Sequence, residues 1–171
     1  MKKITAILLV LVLAGFGLFA ATVDNTKADA TVKVETVVSD FSAFGVSSAE
    51  VGADAFTSIA KFQGSVSSSV DTTIDMLALN DFVLVGHLSG INNTSAPVKL
   101  YLSVEDLVSG DNRVGLTLST YEQTIAASAN SAFGTLENTL IKVKESTAGA
   151  AALAPAGTYT STITISMTTQ G

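Results

Sequence analysis

Apolar and polar positions alternate along this chain with a period of two, most regularly near its ends. From Gly157 onward Tyr159, Ser161, Ile163, Ile165 and Met167 hold the odd positions, while Thr158, Thr160, Thr162, Thr164, Ser166 and Thr168 fill the even ones. Successive side chains of an extended chain point to opposite faces, so this segment predicts a strand with one apolar wall and one hydroxyl wall. A second alternating stretch runs from Ala28 to Val38. There Ala28, Ala30, Val32, Val34, Thr36 and Val38 are interleaved with Asp29, Thr31, Lys33, Glu35 and Val37, predicting a half-buried strand.

The interior reads as shorter strands between turn signals. Phe82–Leu88 is a nearly continuous apolar run that fits a central strand. Asn92-Asn93-Thr94-Ser95 predicts a polar turn, and Pro97 opens a strand over Val98–Val104. Ser109-Gly110-Asp111-Asn112 predicts a tight turn into a strand over Arg113–Ser119, with Val114, Leu116 and Leu118 on one side. Together these predict a meander of adjacent antiparallel strands. Thr120–Gly134 reads as a long connection, Leu136–Lys144 as a further strand with Leu136, Leu140 and Val143 apolar, and Thr147–Ala156 as an Ala-rich loop stopped by Pro155. In the looser region 39–79, Phe41, Phe44, Phe56 and Phe62 are expected as core anchors, Ser65–Ser69 as a turn, and Ser47–Ala60 as the place for one helical turn. Seven or eight short strands with turns about every 8 to 12 residues predict an all-β antiparallel sandwich, read as immunoglobulin-like.

The first 20 residues break this rhythm. Lys2 and Lys3 form a basic head, Ile4–Phe19 is almost unbroken in apolar residues, and Ala20-Ala21 follows. That order predicts an export signal cut after Ala20, leaving 171 − 20 = 151 residues as a single domain over 21–171. A retained membrane anchor is the rival reading, because the apolar stretch reaches Val23. No Cys is present for lipid attachment, and no Glu follows the segment as a type IV pilin requires. The expected destination is the cell surface, the extracellular space or the periplasm, with no membrane contact once the signal is removed.

Composition narrows the function classes. The 171 residues carry 9 Lys plus Arg against 15 Asp plus Glu, a net charge of −6 that becomes −8 once Lys2 and Lys3 are removed. A single Arg and this acidity argue against tracking nucleic-acid phosphates. With no Cys there is no disulfide, thiolate metal site or cysteine nucleophile. An exported chain must then stabilise itself by core burial or through a partner.

Candidate chemistry is sparse. His87, the only histidine, sits mid-strand without a sequence-local carboxylate, and is read as a structural or surface residue. Ser58-Ile59-Ala60-Lys61 matches the Ser-x-x-Lys of penicillin-recognising enzymes, but the accompanying Ser-Asp-Asn and Lys-Thr-Gly elements are missing. Glu105, Asp106 and Asp111, and again Asp71, Asp75 and Asp81, are too openly spaced for a compact calcium loop and read as solvated charge. Asn92-Asn93-Thr94 and Asn93-Thr94-Ser95 are overlapping glycosylation sequons that also read simply as a turn. No catalytic, cofactor-binding or metal-ligating set is assigned, and the chain is read as a non-enzyme.

Leu153-Ala154-Pro155-Ala156-Gly157-Thr158-Tyr159-Thr160, running into Ile163-Thr164-Ile165-Ser166-Met167, resembles the closing strand of bacterial fimbrial and surface subunits. The likeness is to the alpha-type (class 5) chaperone–usher pilins and the spore coat protein U group, and the Ala28–Val38 segment resembles the donor strand of such pilins. The resemblance implies an incomplete sandwich whose groove is filled by a neighbour's N-terminal strand. Ala30, Val32, Val34 and Val38 would be the donor residues, and Tyr159, Ile163, Ile165 and Met167 would line the acceptor strand. It further implies self-association with identical or related subunits and a periplasmic chaperone. The same strand pairing within its own chain would instead make a monomeric periplasmic or secreted binding module, using loops such as Asn92–Ser95 or Ser109–Asn112. Alternation is identical in the two cases, so both readings stand.

Overall fold

The computed structural model describes residues 27–34, 41–130 and 132–169. The predicted export signal and donor position Val38 lie outside these residues. Eleven strands form among the described residues: β1 Lys27–Val34, β2 Ala43–Ser47, β3 Ser69–Asp75, β4 Val83–Asn92, β5 Val98–Val104, β6 Leu107–Ser109, β7 Asn112–Val114, β8 Leu116–Leu118, β9 Glu122–Ile125, β10 Gly134–Glu145 and β11 Thr160–Thr169. They make two sheets, one ordered β3-β1-β11-β5-β9 with the β6–β7 hairpin attached through β11, the other ordered β2-β4-β10-β8. All pairings among them are antiparallel except β1 with β11. The all-β sandwich is therefore present, with more and shorter strands than the seven or eight expected.

Alternation decides what fills the space between the sheets. Phe44 and Val46 of β2, Leu88 of β4, Ile141 and Val143 of β10 and Leu118 of β8 pack in one cluster with Leu100 and Leu102 of β5, Ile125 of β9, and Ile163 and Ile165 of β11. Gly90 belongs to this inner face. A Cβ there would overlap the Ile125 side chain, so the missing side chain is what lets the sheets close. On the outer face of the larger sheet, Lys99, Tyr101 and Ser103 pair with Thr168, Ser166 and Thr164. This is the hydroxyl wall expected from the terminal strand.

A second, smaller core lies on the other side of the four-stranded sheet. Ala43 and Ile91, cross-strand partners, face away from the main cluster. Residues 48–66 fold over them as a 3-10 turn, Ala53–Thr57, and a helix α1, Ile59–Ser65, burying Val51, Phe56 and Phe62. The Phe56 and Phe62 rings meet with centroids 5.8 Å apart.

Several sequence expectations need correction. Phe41 is 59% exposed and anchors nothing, unlike Phe44, Phe56 and Phe62. The predicted meander is absent, because β4 and β5 lie in opposite sheets and their connection is an arch rather than a hairpin. Arg113–Ser119 is not one strand: the chain leaves one sheet after Val114 and joins the other at Leu116, with Gly115 between. The expected connection 120–134 contains β9, and Leu140 stands 40% exposed on β10. The Ala-rich loop contains one helical turn, α2, Ala150–Leu153.

Candidate functional site: a strand slot in the larger sheet

The segments singled out as donor and acceptor strands lie side by side in one chain. β1 occupies the slot between β3 and β11, parallel to β11 and antiparallel to β3. Its register sets Ala30 opposite Ser161, Val32 opposite Ile163 and Val34 opposite Ile165. On the other edge Val32 falls opposite Val70 and Ala28 opposite Ile74. The row through Ile163 continues to Val104 of β5, and that through Ile165 to Leu102. Positions 32 and 34 thus stand in register with the two isoleucines of β11, both buried in the sandwich.

Of the other acceptor candidates, Tyr159 is buried just ahead of β11, its hydroxyl donating to Pro155 O at 3.0 Å, and Met167 is half-buried opposite Leu100. Among the described residues β3 has no strand partner other than β1, which therefore ties β3 to the rest of the sheet. Sequence reading does not find β3, although Val70, Thr72 and Ile74 alternate with Asp71, Thr73 and Asp75, because Ser65–Ser69 beside it reads as a turn.

The remaining candidate residues have structural roles. Ser58 caps α1, its Oγ accepting from Lys61 N at 3.3 Å, while Lys61 Nζ binds Asp54 at 2.8 Å; cap and surface ion pair account for the Ser-x-x-Lys spacing. His87 is buried on β4 between Ser47 and Leu140, with Nδ1 lacking a hydrogen-bond partner, and Ser47 Oγ is spent on Ala49 O at 2.6 Å. Among the described residues no three His, Asp or Glu side chains gather where one ion could be held. Lys99 donates to Glu122 at 2.6 Å, and that carboxylate raises the lysine's pKa above its ordinary value.

Three polar side chains, Asn92 and Glu145 buried and Asn138 half-buried, hold the loops of the sandwich in place. Asn92, read as the first residue of an open turn, is fully buried inside the arch from β4 to β5. Its Nδ2 donates to Ala96 O at 2.7 Å and Ala126 O at 3.0 Å, and its Oδ1 accepts from Ser42 Oγ and Thr94 N. Only the second sequon, at exposed Asn93, remains open to solvent. Glu145, also buried, accepts from Gly149 N at 2.5 Å and Ala151 N at 2.8 Å, fixing the loop that leads into β11.

Asn138 sits in a bulge of β10 at φ 49°, a left-handed conformation that asparagine tolerates better than most residues. Its side chain accepts from Val51 N at 2.7 Å and donates to Val51 O at 2.9 Å, docking the 48–66 cover. Asn138→Ala is expected to cost about 2 kcal/mol in chemical denaturation, roughly 1 per lost hydrogen bond. Hydrogen exchange should accelerate at Val51. Asn138→Gly, which keeps the backbone comfortable, should lose most of the same stability if the amide clamp is what matters.

No described helix is long and apolar enough to cross a membrane. The chain matches no protein-family model, no curated protein and no solved structure.

Proposed function

We propose that this chain is a non-enzymatic, exported structural subunit with an immunoglobulin-like sandwich, which assembles into a surface filament or layer by placing β1 in the slot of a neighbour. The observation that carries this reading is the position of β1. A strand near the N-terminal end of the sequence completes the larger sheet between β3 and the last strand, so the part that closes the fold can be donated without altering the register of either neighbour. Each copy would give one strand and receive one. Passed on head to tail from copy to copy, the strand generates rings or open filaments, whereas mutual exchange between two copies would close a pair.

The second reading is a monomeric binding module. It is favoured by β1 lying in its own chain and by an open groove lined by Ser47, Ser65, Ser67 and Ser69 with Glu50 and Asp71. Sedimentation and electron microscopy of the chain from residue 21 separate the two. Concentration-dependent oligomers or filaments are expected, and a monomer at every concentration overturns the proposal.

A further inference from the structure

The 48–66 cover protects only part of the outer face of the four-stranded sheet, and the rest carries an uncovered apolar strip with unmatched positive charge. Leu140 of β10 pairs across with His87, and Lys142 pairs with Leu84, so these residues share one face. Lys144, two residues further on, places its Nζ 4.8 Å from the centre of the Phe82 ring. Phe82, Leu84 and Leu140 are 38%, 42% and 40% exposed. Leu84 and Leu140 on neighbouring strands, with Phe82 just ahead of β4, leave large side chains open side by side, a patch of the kind that marks an interaction surface.

Charge indicates what covers it. The chain is acidic overall, yet neither Lys142 nor Lys144 has a carboxylate within ion-pair distance among the described residues. Glu105 and Asp106, just ahead of β6, and Asp111, at the tip of the β6–β7 hairpin, are exposed and likewise have no cation partner among the described residues. A basic apolar patch and an acidic rim, each unmatched in its own molecule, complement each other between two molecules.

We infer that the Phe82–Leu84–Leu140 strip, with Lys142 and Lys144, docks onto the Glu105, Asp106 and Asp111 rim of a second copy of this chain. The inference rests on the self-assembly proposed above and adds to it a lateral contact distinct from strand exchange. In this contact the leucines and Phe82 supply the buried apolar area, and the lysines select the partner and its orientation.

The test uses the full chain and two charge-reversed variants, Lys142→Glu/Lys144→Glu and Asp106→Lys/Asp111→Lys, each checked for an unchanged melting curve and circular dichroism spectrum. Association measured by sedimentation should fall at least tenfold in either variant alone and recover when the two are mixed. A Lys144→Cys chain mixed with an Asp111→Cys chain should form a disulfide between copies, unobscured because the native sequence contains no cysteine. If the wild type assembles and the reversed variants assemble equally well, this contact is wrong while the strand-exchange reading survives. If the wild type never associates, the self-assembly reading itself fails, and this contact with it. A variant that loses its native spectrum is replaced by Lys142→Gln/Lys144→Gln, for which an unchanged association constant overturns the inference.

Discussion

A chain lacking residues 21–38 is expected to form no polymer and to lose most of its stability as a monomer, and a synthetic peptide of residues 27–38 is expected to restore the fold but not the polymer. The reason is the place of β1 in the larger sheet. It makes six residue pairings with β11 and seven with β3. Without it β3 has no strand partner among the described residues, and one edge of β11 is left with unpaired amides beside Ile163 and Ile165. Restoring two or three valines to the sheet at ~1.5–2 kcal/mol each, together with the ladder hydrogen bonds, amounts to about 5–8 kcal/mol as an upper figure. That is comparable with the whole stability of a typical domain, roughly 5–15 kcal/mol.

The peptide arm makes the result informative. Rescue by peptide 27–38, read as a recovered cooperative melt, shows a slot that accepts a strand it is not joined to. Failure of the peptide to bind, with the truncated chain merely unfolded, would mean that β1 is a fixed part of a monomer. Persistence of polymers in the truncated chain would remove strand exchange from the assembly altogether. A full-length Val32→Asp variant tests the same slot without shortening the chain. Position 32 falls opposite both Ile163 and Val70, so a carboxylate introduced in that row should cost several kcal/mol of stability, about 3 or more.

What is legible in the sequence follows from how local the signal is. The Thr/Ile alternation before Gly171 needs no neighbours to be recognised, and β11 carries Ile163 and Ile165 buried on one wall and Ser166 and Thr168 exposed on the other, although Thr162 of the hydroxyl wall is buried. The same holds for Ala28–Val34, whose period of two becomes β1. Which strands are neighbours is not legible, because alternation is blind to pairing. Phe82–Leu88 and Val98–Val104 both read as strands, and strands β4 and β5 form there, yet they belong to opposite sheets.

Buried polar groups are the other blind spot. In the sequence Asn92 opens a polar turn, Asn138 falls inside the Leu136–Lys144 strand, Glu145 follows that strand with no role assigned, and Ser58 with Lys61 matches a catalytic spacing without its companion elements. Each of the first three instead supplies hydrogen-bonding atoms to backbone groups that folding brings close, from as far as residue 51 to residue 138. Ser58 does the same for its own helix. The β10 bulge at Asn138 also explains why Leu140 departs from its expected burial. An extra residue reverses which positions face the core, leaving Leu140 on the outer side while Ile141 and Val143 are buried.

The arch between the sheets carries the largest single-residue effect expected in this molecule. Asn92→Asp keeps the shape and the acceptor oxygen but removes both Nδ2 donors, and it sets a carboxylate against the carbonyl oxygens of Ala96 and Ala126. No cation lies among the hydrogen-bond partners of Asn92, and the site is closed to solvent, so the charge is uncompensated. A cost of about 3–5 kcal/mol at neutral pH is expected in urea denaturation, against roughly 3 for Asn92→Ala, which leaves the same carbonyls unpaired but adds no charge. Acid separates the two variants. Burial next to carbonyl oxygens raises the introduced carboxyl's pKa in the folded state above its unfolded value of about 3.9, so the folded chain holds the proton longer and stability falls as pH rises through that range. Below about pH 3 the introduced carboxyl is largely neutral in both states and can donate one hydrogen bond, so Asn92→Asp should approach or exceed the stability of Asn92→Ala there. Equal deficits for the two variants at both about pH 3 and about pH 7 would mean that the amide's donors are not what closes the arch. The 93–97 connection would then be held by Pro97 and the strands it joins.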